Sequence, residues 1–562
     1  MKRYALSHSP MRLLAALLVF FPLVAEAAVP GAGQILQEIQ PVKPPVPSSG
    51  GTGLTIQRSD GSTLPPSAPF EVKTIRITGN TLFDTPTLHA LVADAVGKSL
   101  TLAQLNELAA RITDYYQRNG YPLARAIIPA QVIREGMVTI EVVEARYGKV
   151  SLENSSRVND PLLQDTLAAD VQGGAPIAQT PLDHALLLLS DIPGVAVSAT
   201  LKPGDAVGTS DLVVTTTPSG PFVTGNVMLD NYGNSYTGRP RLGLTVNLNN
   251  PLHHGDVLSL SGLSSGSGMN YGRIGYETLV NGRGTRAGGS YSALHYILGS
   301  PLAALNAHGT AEVASVWVRH PLLRSREFSL YGQLQYDWMQ LQDRIDATAI
   351  RTDRTLNNWT AGVSGDARDT LLAGAVNTWN VSFTTGRVGF DDPAAQLADA
   401  ATANTQGTFS KWNANLARLQ GLSAKSNLYI SLAGQWADGN LDASKKMIAG
   451  GPYTVRAYDI GAVSGDSGYL GTAELRYDLG AALSGKWQAM AFVDSAHVTV
   501  NQNAWVAGTN SATLSGAGVG LNWAGPYQWS ARAYIATPIG GTPALIGSTS
   551  SSRIWAEISK AF

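Results

Sequence analysis

Residues 242–248 read LGLTVNL, a stretch in which apolar residues alternate with glycine or polar ones. The same alternation recurs in Leu334–Trp338 and Ala489–Val493, and clusters of Gly, Asn, Asp and Ser separate such stretches. A period of two predicts β-strands with one apolar and one polar face. At about 20 to 22 residues per strand and loop, residues 219–562 predict a transmembrane antiparallel β-barrel of about 16 strands. A large soluble sandwich or a propeller would show the same pattern.

The end of the chain favours the membrane barrel over these alternatives. In the predicted last strand, the side chains at alternate positions point to opposite faces. Ile554, Ala556, Ile558 and Phe562 lie on one face, and Arg553, Glu557 and Ser559 lie on the other. Lys560 interrupts the apolar parity. A terminal aromatic residue on the lipid face of the closing strand is typical of outer-membrane barrels. We therefore predict that Phe562 ends the closing strand as the barrel's C-terminal signature.

Composition excludes several classes of function. The 562 residues include no cysteine, which removes disulfides, thiol catalysis and thiolate metal sites. A net charge of −1 with 14% charged residues provides no electrostatic footprint for nucleic acid. Residues 262–266 fit G-x-S-x-G, but no helical pattern follows, as a nucleophile elbow would require. We predict no catalytic, cofactor-binding or metal-binding residues and no enzyme activity.

The N-terminal region divides into three segments. Residues 1–27 resemble a secretory signal peptide, with Lys2 and Arg3 before an apolar stretch and Ala25-Glu26-Ala27 as the cleavage site. Residues 28–40 contain a short amphipathic helical pattern from Gln34 to Gln40. Residues 41–69 are rich in Pro, Gly and Ser, which predicts an extended linker that cannot bury a core.

Two successive units of similar length precede the barrel. Residues 70–146 predict the order β-α-α-β-β, with a helix that carries apolar residues from Leu102 to Tyr115 and stops at Asn119-Gly120. The same order recurs over residues 147–218. Two units of roughly 75 residues with one element order indicate a tandem repeat of α+β modules.

The first module carries the motifs YY at 115–116, GYPLA at 120–124 and IPAQ at 128–131, and the second carries DIPGV at 191–195. In these motifs the two modules resemble the POTRA domains of the two-partner secretion transporters, the TpsB or haemolysin secretion/activation proteins of the barrel-assembly superfamily. The resemblance assigns substrate recognition to the first module, and we map that role onto six residues: Tyr115, Gly120, Tyr121, Pro122, Pro129 and Gln131.

Two further motifs resemble the family's lumen latch. Val455, Arg456, Ala457 and Tyr458 resemble the signature V-R-G-[FY] of a loop that folds back into the barrel, with alanine in place of the usual glycine. Phe492 and Asp494 resemble the F-x-D motif, whose carboxylate pairs with the loop arginine. Strand parity places both on one face, where a charge is tolerable if that face is the polar interior. A bidentate Arg456–Asp494 pair would hold the loop directionally.

The resemblance implies a transporter in the outer membrane with its POTRA domains in the periplasm. Its cargo would be a secreted exoprotein, such as a large β-helical adhesin, haemolysin, protease or contact-dependent toxin, captured unfolded by the POTRA domains. We expect no cofactor. The other expected partners are the lipid of the outer membrane and the barrel-assembly machinery, which would insert the transporter into that membrane. The N-terminal helix would plug the barrel at rest through Ile35, Leu36 and Ile39. The alternatives are an assembly insertase of the same superfamily and a passive porin, which would not explain residues 70–217.

Overall fold

The computed structural model describes residues 29–39, 53–56, 67–547 and 549–562. The predicted signal peptide and most of the predicted linker lie outside these residues. Two short elements precede the first module, helix α1 (Ala32–Ile39) and strand β1 (Gly53–Ile56). No helix among the described residues combines the length and apolar character needed to cross a membrane.

The first module is a small sheet covered by helices. Its elements are β2 (Phe70–Glu71), β3 (Thr74–Thr78), α2 (Thr85–Ala90), β4 (Ser99–Leu100), α3 (Leu102–Arg118), β5 (Arg125–Ile127) and β6 (Met137–Val143). Helix α3 begins at a capping box, in which Thr101 and Gln104 each satisfy the other's backbone N–H. Its apolar face buries Leu105 and Ile112 against β6, which pairs with β3 and β5.

The second module repeats this plan with longer strands. Its elements are β7 (Arg146–Asn154), α4 (Asp160–Ala168), α5 (Gln179–Ser190), β8 (Val195–Pro203) and β9 (Thr209–Pro218). Strand β9 lies between β7 and β8, and β1 adds to the outer edge of β8 as a parallel strand. Leu54 and Ile56 of β1 pack against the core of this module. The expectation that residues 41–69 contribute to no core is therefore wrong for this short segment, because its apolar residues alternate as in any half-buried strand.

Sixteen antiparallel strands of the described residues close into a barrel, so the prediction of about 16 strands is confirmed. The barrel strands are β10 (Val223–Asp230), β11 (Arg241–Asn249), β12 (Val257–Ser264), β13 (Met269–Leu279), β14 (Arg286–Ile297), β15 (Ala307–Arg324), β16 (Phe328–Ile345), β17 (Ile350–Asp369), β18 (Ala375–Phe390), β19 (Gly407–Gly421), β20 (Ser426–Ala437), β23 (Ser467–Ala482), β24 (Gly485–Thr499), β25 (Ser511–Ala524), β26 (Trp529–Pro538) and β27 (Arg553–Ala561). Helix α6 (Pro393–Ala400) follows β18, and a separate short hairpin, β21 (Met447–Ala449) and β22 (Val463–Gly465), is inserted after β20. Strand β27 pairs with β10 to close the ring, and the backbone of Phe562 exchanges two hydrogen bonds with Gly225.

The two faces of the barrel wall differ as the alternation predicts. Leu334 and Trp359 are about half exposed on the outer surface. Asp337 and Asn358, on the opposite face of the same two strands, are buried inside, where the Asn358 amide donates to the Asp337 carboxylate at 2.9 Å. An apolar exterior and a hydrogen-bonded polar interior are what a barrel in lipid requires.

Two arginine–aspartate pairs attach the second module to one rim of the barrel. Arg324, at the end of β15, donates to both oxygens of Asp191 at 2.7 and 2.8 Å. Arg326, in the following turn, donates from Nε to Asp183 at 2.8 Å. Both aspartates belong to α5 or its C-cap. Bidentate pairs are directional, so these contacts set the orientation of the module on the barrel.

The two modules meet at the first module's GYPL turn. The backbone N–H of Gln179, at the start of α5, donates to the carbonyl of Gly120 at 2.8 Å. Leu123 is partly buried against the core of the second module. The turn after α3 therefore joins the two modules.

Candidate functional site

Two inserts occupy the barrel lumen. One is α1, and the other is the loop between β20 and β23, residues 438–466, hereafter the latch loop. The latch loop contains a short 3₁₀ helix (Ala443–Lys445) and the hairpin β21–β22. The predicted V-R-A-Y motif lies between the two strands of this hairpin.

Arg456 fastens the latch loop to two neighbouring strands of the wall. Its Nε and Nη2 each donate to Asp494 of β24 at 2.8 Å, and its Nη1 donates to Glu474 of β23 at 2.6 Å. The side chains of Arg456, Asp494 and Glu474 are 8%, 0% and 7% exposed. The structure thus brings the predicted arginine and aspartate together and adds a second carboxylate. Charged hydrogen bonds are stronger away from water, so this cluster is a firm attachment.

Aromatic residues surround the guanidinium. The Phe492 ring centroid lies 3.3 Å from Arg456 Cζ, and the indole of Trp555 donates to the Arg456 carbonyl at 2.7 Å. Val455 and Tyr458, the neighbours of Arg456 in the motif, are buried in the same apolar cluster. Excluding water around the ion pairs strengthens them, and the cation–π contact adds to the attraction.

Glu474 was missed at the sequence level, although a signal existed. Thr472, Glu474 and Arg476 share one parity of a strand whose other parity carries Leu475 and Tyr477. The acidic side chain accepts from Arg476 Nε at 2.7 Å as well as from Arg456. A carboxylate in the polar parity next to the F-x-D strand marks a second ligand for the loop arginine.

Ala457, which replaces the family's glycine, is accommodated by a glycine in the wall. Ala457 is 1% exposed, and its methyl group lies against Gly516 of β25, where a Cβ atom would overlap it. Gly516 pairs with Asp494 across the sheet. The extra methyl on the loop is thus matched by a missing side chain beside the latch aspartate.

A second charge pair holds the loop beyond the motif. Asp459 accepts from both terminal nitrogens of Arg553 on β27, at 2.6 and 2.8 Å, and from Arg239 at 3.0 Å. No sequence motif pointed to it, because the partners lie 94 residues apart in the chain.

Helix α1 lies in the lumen on an apolar surface of the wall. Ile35 and Leu36 are buried and Ile39 is partly buried. They belong to one cluster with residues of several barrel strands, which includes Leu341, Leu356 and Phe409. A helix of eight residues is too short to be stable alone, so this packing is what keeps it folded.

Polar contacts hold α1 at its two ends. The backbone N–H of Ala32 donates to Asp343 Oδ1 at 2.7 Å, and Asp343 is also paired with Arg354 at 2.8 Å. At the other end, Glu38 accepts from the amide of Asn234 at 2.6 Å. A carboxylate at the N-terminus satisfies free N–H groups and favours the helix dipole.

The six residues predicted for substrate recognition lie in two parts of the first module: the end of α3 with the turn after it, and the loop after β5. Tyr115 and Tyr121 pack edge-on against Phe83, with ring centroids 5.1 and 5.8 Å apart. Gln131 bonds with both of its amide atoms to the backbone of Thr139 in β6, next to the end of β5. Gly120 has φ +88°, which lets the chain turn after α3. Pro122 and Pro129 lie in the loops on either side of β5.

Glu144 organises the same part of the first module. Its carboxylate accepts from the N–H groups of Thr81 and Leu82 at 2.7 and 2.8 Å and from the Tyr116 hydroxyl at 2.8 Å. Burial would raise the pKa of Glu144, but these hydrogen bonds to the charged form outweigh it, so the pKa is lowered. Burial and the neighbouring carboxylate in turn raise the pKa of Tyr116.

Comparisons with known proteins agree with this architecture. Residues 208–523 match the model of the haemolysin secretion/activation proteins ShlB/FhaC/HecB, and residues 70–145 match the ShlB-type POTRA domain. The heme/hemopexin transporter protein HuxB of Haemophilus influenzae is 28% identical over 85% of the chain and 84% of its own length. The outer membrane transporter CdiB of Escherichia coli is 24% identical over 76% of the chain and 72% of its own length.

A solved structure shows the same fold. CdiB from Escherichia coli superposes with a TM-score of 0.69 at 21% identity, covering 90% of this chain and 93% of that one. The family model spans more than half of the 562 residues. The chain therefore belongs to the ShlB/FhaC/HecB family of haemolysin secretion/activation proteins, and it is an outer-membrane transporter of two-partner secretion whose POTRA domains lie in the periplasm.

Proposed function

We propose that this transporter exports an unfolded exoprotein through the barrel while Arg456 keeps the latch loop seated on the wall, and that α1 plugs the lumen at rest. The cargo first meets the POTRA domains, where Tyr115, Gly120, Tyr121, Pro122, Pro129 and Gln131 form the recognition region of the first domain. The transporter performs no catalytic step on its cargo. Contacts with membrane lipid and insertion by the barrel-assembly machinery belong to the same proposal.

The observation that carries the latch is the double attachment of one buried arginine. Breaking it would leave Asp494 and Glu474 buried without their shared cation, at a cost of about 3–5 kcal/mol. A contact so costly to break favours a loop that stays seated during the export cycle and lines the path of the cargo.

Replacement of the arginine tests this role. Arg456→Ala is expected to reduce secretion of the cargo on the order of tenfold or more, because it removes the contacts to both carboxylates. Arg456→Lys keeps the charge but loses the bidentate geometry, so its secretion should be intermediate. Secretion is measured in the culture supernatant, and barrel insertion is checked by heat-modifiable migration in gels.

A matched control removes a partly exposed arginine–aspartate pair from the same barrel. Arg418 donates to Asp369 at 2.7 Å, with side chains that are 28% and 39% exposed. Such pairs contribute about 0–1 kcal/mol, so Arg418→Ala should secrete normally. Normal secretion by an inserted Arg456→Ala transporter would refute the latch.

The cargo is an exoprotein of the kind that two-partner transporters carry. The named relatives are a heme/hemopexin transporter and an outer membrane transporter. A comparison of culture supernatants with and without the transporter identifies the secreted protein, and we expect the neighbouring reading frame to encode it. Mass spectrometry of that protein should find its side chains unmodified; a transporter-dependent modification would contradict the absence of a catalytic step.

A further inference from the structure

We propose that Arg354 is a positioning residue for α1. It holds Asp343 of the barrel wall and the 3₁₀ helix of the latch loop (Ala443–Lys445) in the geometry that receives α1. The surface of wall and loop that α1 covers, hereafter its seat, then keeps its shape while α1 is withdrawn. The inference rests on the plugging of the lumen by α1 that is proposed above, and it identifies a wall residue on which closure depends.

Arg354 lies inside the apolar surface that α1 covers. It is paired across the sheet with Leu341, and Leu356 follows it on the same face of β17. Both leucines belong to the cluster that includes Ile35 and Leu36 of α1. The side chain of Arg354 is only 7% exposed. A charge in such a place is tolerable only if other groups compensate it.

Two carboxylates from different parts of the chain compensate this charge. The Nη1 atom of Arg354 donates to Asp343 of β16 at 2.8 Å, and its Nε atom donates to Asp442 of the latch loop at 2.6 Å. Two carboxylates that share one guanidinium would repel each other without it. Arg354 therefore joins the latch loop to the wall beside α1.

Asp343 connects Arg354 with the N-terminus of α1. Its Oδ1 atom accepts from the backbone N–H of Ala32 at 2.7 Å and from the hydroxyl of Tyr296 at 2.6 Å. Gly31, just before the helix, lies so close that a Cβ atom on it would be 2.9 Å from the carboxylate. The free N–H groups of the first turn need an acceptor, so the orientation of Asp343 sets where α1 begins.

Asp442 connects Arg354 with the opposite side of the seat. It is the N-cap of the 3₁₀ helix, and its Oδ1 atom accepts from the backbone N–H and the hydroxyl of Ser444 at 2.8 and 2.6 Å. Ser444 lies against α1, since a Cβ atom on Gly33 would be 2.7 Å from its nitrogen. Its carbonyl accepts from the side-chain amide of Gln37. The loop therefore contacts α1 at two positions about one helical turn apart.

These contacts form a closed ring in which α1 provides only uncharged donors. They are the N–H of Ala32 and the amide of Gln37. When α1 leaves, both salt bridges of Arg354 remain, so the seat stays assembled. Without Arg354, Asp343 and Asp442 would repel each other, and the two sides of the seat would move apart.

Conductance in planar bilayers measures how often α1 leaves the lumen. Arg354→Gln removes the charge between the two carboxylates, so the mean conductance should rise about threefold or more. Arg354→Lys keeps the charge but not the fork of hydrogen bonds, so its conductance should lie between the two. Unchanged conductance in Arg354→Gln, with insertion confirmed by heat-modifiable migration in gels, would overturn the proposal.

Arg286 provides the matched control. It lies on the same face of β14 as Tyr296 but at the other end of the strand, where it donates to Glu277 at 2.5 Å. Arg286→Gln therefore removes an ion pair from the same wall without touching the seat, and the conductance should not change. A rise equal to that of Arg354→Gln would mean that any lost pair loosens the barrel, which would overturn the positioning role.

A double variant separates positioning of α1 from a general weakening of the barrel. Ile35→Asp is expected to unseat α1 by itself, so adding Arg354→Gln should produce no further rise in conductance. A further rise would mean that Arg354 acts elsewhere in the barrel and would contradict the proposal. If Ile35→Asp alone left the conductance unchanged, plugging by α1 would be refuted instead, so the two failures are distinguishable.

Labelling of a buried cysteine provides a readout that does not depend on current. Leu36 is 6% exposed and the chain has no cysteine, so Leu36→Cys introduces a single protected thiol. A water-soluble maleimide should label it about threefold or more faster when Arg354→Gln is also present, because the seat opens more often. Asp442→Asn removes one salt bridge while its side chain can still accept from Ser444, and it should also speed labelling. Equal labelling rates with and without these changes would contradict the proposal, and Asp442→Asn decides the matter if Arg354→Gln does not insert.

Discussion

The lumen holds two inserts that are fastened to the same wall in different ways. The latch loop is attached through Arg456. If the loop left, Asp494 would remain buried without a cationic partner, while Glu474 would keep Arg476. Helix α1 is attached mainly through apolar packing, and when it leaves, Asp343 still keeps Arg354 as a partner. Withdrawing α1 therefore leaves no buried charge of the wall without a charged partner, whereas withdrawing the loop leaves Asp494 without one. The comparison supports the proposal that the latch loop stays seated during export and that α1 is the insert that is removed.

The largest change in the behaviour of the transporter is expected when the packing of helix α1 in the lumen is weakened. Ile35→Asp places a carboxylate in the apolar cluster around α1 and should destabilise its seat by about 2–5 kcal/mol, since it combines lost packing with a buried charge. We expect a higher conductance in planar bilayers. Ile39→Asp, at a partly buried position, should raise it less. An unchanged conductance in the Ile35 variant would show that α1 does not close the lumen.

A smaller effect should follow from crowding the latch loop. Gly516→Ala brings a methyl group against that of Ala457, and overpacking of this kind costs about 1–3 kcal/mol. Secretion should fall severalfold, and the second change Ala457→Gly should restore it by returning the missing space. Failure of the double variant to recover would mean that these two positions do not set the seat of the loop.

The smallest expected effect is a change in the pH dependence of stability, and it concerns Glu144. This carboxylate lies outside the membrane and accepts hydrogen bonds from uncharged donors. Since the pKa of Glu144 is lowered by folding, its stabilisation is present above its unfolded pKa, roughly 4.3, and is lost as the pH falls through the lower folded value. The measurement is the rate at which an acid-active protease cleaves the periplasmic domains of the purified chain at pH 3, divided by the rate at pH 5 for the same protein. This ratio should be higher for the unmodified chain than for Glu144→Gln. The variant should be less stable at pH 7 by about 1 kcal/mol. An identical pH response in both proteins would exclude Glu144 as the titrating group.

The barrel could be predicted from the sequence because its signal is local and repeated. Alternation in stretches such as 242–248 specifies a strand and its two faces, and the length of residues 219–562, at about 20 to 22 residues per strand and loop, predicts the number of strands. The latch pair could be predicted because Arg456 and Asp494 lie in motifs that resemble a family's. The recognition role of Tyr115, Tyr121 and Gln131 stays a prediction, since their contacts in the structure lie within the first domain.

The features that could not be predicted depend on pairings between distant parts of the chain. Asp459 and Arg553 each look like a surface charge until the barrel closes and brings β27 to the loop. Residues 53–56 lie in a stretch whose Pro, Gly and Ser content indicates a linker, and only the neighbouring edge of β8 turns them into a strand. In both cases the tertiary context decides, as it commonly does for short strands and isolated charges.

The attachment of the second POTRA domain through Arg324 and Arg326 has a kinetic consequence. A polypeptide bound to a domain that is fixed to the barrel stays close to the barrel opening and does not have to diffuse to it. Its free end experiences an effective concentration that can reach the millimolar range over short distances. Entry into the barrel then becomes an intramolecular step, whose rate depends on the geometry of the mount and not on how much cargo the periplasm contains.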